Sequence, residues 1–72
     1  MEGVKGYDKF NQATKAMFSM IRKNHIASMG EEEKEKHSIE NLKSVKINQK
    51  EKCFEVQYKH AWYKYYPDGA WG

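Results

Sequence analysis

At 72 residues the chain has room for one small domain, 1–72, and for no second one. Charged residues make up 32% and the hydrophobic set 39%, with 13 basic against 10 acidic residues, a net of +3 and a pI near 9.0; this is the balance of a modestly stable folded domain, not of a disordered tail. A lone cysteine, Cys53, excludes an internal disulfide, and apolar runs of no more than three residues argue against a membrane span or a secretory leader, so a soluble cytoplasmic protein with no membrane partner is expected.

The net charge hides an uneven layout. Residues 1–30 are basic, residues 31–42 carry Glu31, Glu32, Glu33, Glu35 and Glu40 against two lysines, and the chain is basic again from Lys43. Such alternation suits internal charge pairing as well as an outside partner.

After a flexible start at residues 1–6, the pattern predicts an amphipathic helix over 7–27. Tyr7, Phe10, Ala13, Thr14, Met17, Phe18, Met20 and Ile21 form one apolar stripe at a 3.6-residue period, with Lys9, Lys15, Arg22 and Lys23 behind it. His25 falls at the stripe's edge, and Ile26 falls off it, as at a helix end or bend.

Residues 28–43 are predicted as a short acidic helix or a loop. Ser28 and Glu31 have capping-box spacing and the early glutamates suit a helix start, but Gly30 in the first turn and only Ile39 and Leu42 as anchors weaken the helix. From Ser44 the period drops to two. Val45 and Ile47, then Phe54, Val56 and Tyr58, alternate with polar residues as two strands of a hairpin; this puts Cys53 on the polar face. Trp62 to Tyr66 is a third, aromatic strand, reached through Lys59-His60-Ala61 by a loop or a bend.

Tyr66-Pro67-Asp68-Gly69 is the sharpest local signal, a three-residue hairpin loop closed by a left-handed glycine. It pairs Tyr66 with Ala70 and Tyr65 with Trp71. The expected fold is therefore α+β: an N-terminal amphipathic helix, with or without a short second helix, packed on an antiparallel β-meander of three to four strands filling 44–72.

Parity then divides the aromatic strand. With Tyr63, Tyr65 and Trp71 against the helix, Trp62, Lys64 and Tyr66 face outward, and Lys59 and His60 lie at their rim. Exposed Trp and Tyr beside lysine mark an interaction surface, so the leading expectation is a small non-catalytic protein that docks on another protein or on a second copy of itself. The alternative is a lysine-mediated, non-sequence-specific single-stranded nucleic-acid binder using the same sheet face with Lys9, Lys15, Arg22 and Lys23. A single arginine argues against reading base edges in duplex DNA.

Enzymatic motifs are missing: there is no phosphate loop and no nucleophile elbow, and a domain this small has little volume for a substrate pocket. No enzyme, cofactor or small-molecule substrate is expected. Cys53, His25, His37 and His60 are scattered along the chain without metal-ligand spacing, and nothing in the sequence activates Cys53 as a nucleophile.

Overall fold

The structure, a computed structural model, describes residues 3–72. A 16-residue helix α1 (Gln12–Ala27) and a six-residue helix α2 (Glu31–Lys36) precede a three-stranded antiparallel sheet of β1 (Leu42–Asn48), β2 (Cys53–Tyr58) and β3 (Trp62–Tyr65), in the order β1-β2-β3. This is the expected α+β fold of a helix on a meander. The core joins Val4, Phe18, Ile21, Leu42, Val45, Phe54, Val56, Tyr58 and Tyr65, with Tyr7, Phe10 and Tyr63 packed at its margin.

The first helix ends at Ala27 as predicted but differs from its prediction at its start. Tyr7–Lys9 is a separate 3-10 turn, and α1 begins only after Asn11, whose side chain accepts the Thr14 amide at 2.8 Å as an N-cap. Phe10 still reaches the core, its ring 5.7 Å from Phe54, so the apolar stripe continues across a break in the helix. At the other end the helix runs straight through Ile26. The buried seam is also narrower than the stripe: Phe18, Ile21 and His25 lie along one line, and Met17 and Met20 flank it in solvent. A sheet only three strands wide cannot cover the whole stripe.

Val4 and Lys5 tie the chain before the first turn to the sheet. Of the residues expected to be flexible, 1 and 2 lie outside the described residues; Val4 is in the core, and the Lys5 amide and carbonyl bond to Lys43 and Val45 at the margin of β1. Gly6, at φ +90°, makes that approach possible, because a Cβ there would run into the Val45 carbonyl.

The acidic segment forms one short helix, followed by a 3-10 turn at Ile39–Asn41. Gly30 is the N-cap; Ser28 instead turns back to donate to the His25 carbonyl, so the expected capping box does not form. Ile39 is exposed, and the segment is anchored by Leu42 at the start of β1 and by the buried His37.

The meander follows the alternation closely. Val45 faces Val56 and Ile47 faces Phe54 across β1 and β2; Val56 faces Tyr63 and Phe54 faces Tyr65 across β2 and β3. Residues 59–61 are the loop of a hairpin, closed by the Tyr58 amide on the Ala61 carbonyl. At 66–69 the chain reverses as the sequence predicts: Gly69 sits at φ +95°, Tyr66 bonds to Ala70, Tyr65 pairs with Trp71, and Lys64 exchanges two backbone bonds with Gly72. Cys53 is buried although its parity matches Glu55, because it follows the 49–52 turn, where Glu51 folds back toward Lys64. Burial pushes its thiol pKa up, away from reactivity.

Candidate functional site

Each face of β3 continues into a different constellation. On the helix side, Tyr65 is fully buried, and its hydroxyl lies 2.7 Å from His25 Nδ1 and 2.8 Å from the Tyr58 hydroxyl. His25, 3% exposed, is enclosed by the rings of Tyr63, Tyr65, His37 and Trp71. Loss of hydration, reinforced by the nearby His37 and Arg22, lowers its pKa to about 4, so it is a neutral hydrogen-bonding ring at pH 7. The same burial, together with the Tyr58 hydrogen bond, raises the Tyr65 pKa, and desolvation with the Glu33 charge raises that of Tyr63.

His37 extends this network. It caps α2, is 1% exposed, and holds the Glu33 carbonyl with Nδ1 at 2.7 Å and the Tyr63 hydroxyl with Nε2 at 2.9 Å. A carbonyl only accepts, so Nδ1 donates to it; in the neutral ring Nε2 is then the acceptor and the Tyr63 hydroxyl the donor. His60, in the β2–β3 loop, sets its ring 4.5 Å from that of His37. Three histidines that look scattered in sequence are thus gathered around Tyr58, Tyr63 and Tyr65, while Cys53 lies elsewhere. The i, i+4 spacing of Glu33 and His37 is the one local hint of this cluster; the rest arises from the β2–β3 hairpin bringing position 60 back.

On the outer side, Trp62 is 59% exposed and faces Gln57 across β2. A groove of about 730 Å³ runs beside it, lined by Lys5, Lys9, Ser44, Lys46, Glu55 and Gln57. Next to the groove is a ladder of charge. Lys46 pairs with Glu55 at 3.3 Å, Asn48 donates to both Glu55 and Glu51, and Glu51 holds Lys64 at 2.8 Å. These contacts hold Glu55 below the usual carboxylate range, the Asn48 hydrogen bond foremost, and raise the Lys64 pKa through Glu51.

The anchor residues expected from parity therefore fare differently. Trp62 stands free, Lys64 is engaged within the molecule, Tyr66 is half-buried just past β3, and Lys59 and His60 are exposed on the loop before β3, where His60 packs against His37 and not at the rim of the Trp62 surface. The four cations expected to line a nucleic-acid surface do not act as one group. Lys9 joins the groove beside Trp62, Lys15 lies over the Tyr7 ring, Arg22 donates to the His37 carbonyl, and Lys23 is exposed on α1 beside another hollow.

A second, apolar groove of about 300 Å³ opens where α1 meets the end of the sheet, between Met17, Ile47, Phe54 and Pro67. Its exposed Met17 and Ile47 are residues that the periodicity assigns to the core. Among the described residues no helix is long and apolar enough to cross a membrane. No protein-family model matches the chain, and neither a curated protein nor a solved structure matches it.

Proposed function

We propose that this chain is a non-catalytic docking protein whose outer sheet face receives an acidic polypeptide segment. The observation that carries the reading is Trp62, exposed on a sheet face that α1 leaves uncovered, beside a groove lined by Lys5, Lys9 and Lys46. A large amphipathic ring in a groove with an apolar floor and charged side chains at its rim is the usual form of an interface anchor. Three lysines against Glu55 give the groove a positive balance, which complements carboxylates and steers their approach. The partner's chemistry is then a strand or turn that carries aspartate or glutamate around one apolar side chain for Trp62.

The test uses a Trp71→Phe background, in which Trp62 is the remaining tryptophan and its emission reports this face alone. Synthetic peptides alternating glutamate with leucine or phenylalanine are expected to shift that emission saturably, and Lys46→Glu is expected to abolish the shift. Emission insensitive to every peptide, in a protein that sediments as a monomer, overturns the reading. Saturation by oligothymidylate with steep salt dependence transfers the face to single-stranded nucleic acid, and a concentration-dependent dimer transfers it to a second copy.

A further inference from the structure

Beside α2, His37 and His60 share a third neighbour, the Glu33 carboxylate. Glu33, His37 and His60 each place a ligand atom within 4.8 Å of the other two, and Glu33 and His60 are open to solvent while His37 is not. We propose that these three side chains bind a first-row transition cation of the zinc type, fastening α2 to the β2–β3 loop.

Three observations point to a metal at this cluster. The donor set, two imidazoles and one carboxylate, suits zinc and its neighbours, whereas magnesium and calcium prefer oxygen donors throughout. The supporting hydrogen bond is already in place: His37 gives its Nδ1 proton to the Glu33 carbonyl, which in the neutral ring leaves the Nε2 lone pair as the one that can coordinate. Tyr63 now donates to that lone pair at 2.9 Å, so binding exchanges one hydrogen bond of a half-buried hydroxyl for a metal bond. The third observation is mechanical. None of the six residues of α2 is buried, and its Lys36–Glu33 ion pair is a long surface contact of 3.8 Å. The helix is held chiefly by its cap, His37, and a cation joining Glu33 and His37 to His60 gives it a second hold where packing gives none.

The probe is Zn²⁺ added to the full chain, read by calorimetry, by the thermal midpoint and by the histidine ring signals in NMR spectra. The expected result is saturable one-to-one binding, a midpoint that rises with Zn²⁺ concentration, and movement of the His37 and His60 signals ahead of His25. Glu33 and His60 are exposed, so E33Q and H60A keep the fold; each is expected to weaken binding by about tenfold or more. Excess Mg²⁺ is expected to leave the Zn²⁺ complex intact. The proposal fails if binding is not saturable, if both variants bind as well as the parent, if the ring signals of positions 37 and 60 stay still, or if Mg²⁺ displaces Zn²⁺. None of these outcomes bears on the Trp62 face.

Discussion

The two faces of the sheet are made by the same strands and satisfy their polar atoms in opposite ways. On the helix side, Tyr58, Tyr65 and His25 are buried, and each is hydrogen-bonded to another ring, in a chain from His25 through Tyr65 to Tyr58. On the far side, Lys46, Glu55, Asn48, Glu51 and Lys64 satisfy one another at the surface, and Trp62 stands among them without a comparable partner. A chain with few aliphatic residues can therefore still close a core. It does so with large rings whose polar tips meet each other, since an unpaired buried hydroxyl is costly. The outer face has no such closure.

Substitution tests that contrast most directly. Tyr65→Ala removes a fully buried ring and both of its hydrogen bonds, and a loss of about 3–5 kcal/mol is expected in urea unfolding, enough to unfold so small a domain. Tyr65→Phe keeps the ring and separates packing from hydrogen bonding; a loss of about 1–3 kcal/mol is expected, since His25 and Tyr58 are then left short of a partner. Gly6→Ala tests how the N-terminal segment is held beside β1. With φ at +90° and the Val45 carbonyl in the way, the expected cost is about 2–3 kcal/mol, read as lost hydrogen-exchange protection at the Lys5 and Val45 amides.

Acid probes the same buried rings without mutation. His25 has its pKa lowered to about 4 in the folded protein, against an unfolded value near 6.5, so between these values the unfolded chain binds more protons. Stability is therefore greatest above pH 6.5, falls as the pH drops toward 4, and levels off below. Between pH 7 and pH 5 the expected loss is about 2 kcal/mol, measured as a shift in the urea midpoint. His25→Gln is expected to flatten that dependence.

The smallest effect belongs to the outer face. Trp62→Ala is expected to change unfolding stability by less than about 0.5 kcal/mol, although it removes the largest kind of side chain in the protein. A loss as large as that of Tyr65→Ala would mean that Trp62 supports the fold and is not held out for a partner.

Where local chemistry decides the structure, the sequence is readable. Pro67-Asp68-Gly69 sets its own turn, and with it the pairing of Tyr65 with Trp71. The two-residue alternation of Phe54, Val56 and Tyr58 likewise sets which face of β2 is buried. Where two local signals compete, it is less so. Phe10 fits the helical stripe, yet Asn11 immediately after it is a better cap than a helix interior residue, and the helix starts there. Ser28 and Gly30 compete in the same way for the start of α2, and Ser28 is drawn instead to the His25 carbonyl. Long-range gathering is not readable at all. His25 looks like a boundary residue of a stripe because the rings that enclose it come from positions 37, 63, 65 and 71.

The return of residues 70–72 alongside β3 bears on what kind of company this protein can keep. Lys64 spends its outward amide and carbonyl on Gly72, and Tyr66 gives its amide to Ala70, so the end of that border nearest the 66–69 turn is already occupied by the chain itself. Lys5 occupies the opposite border at the start of β1 in the same manner. Fibre-like growth by adding one strand after another meets the chain's own backbone at both places.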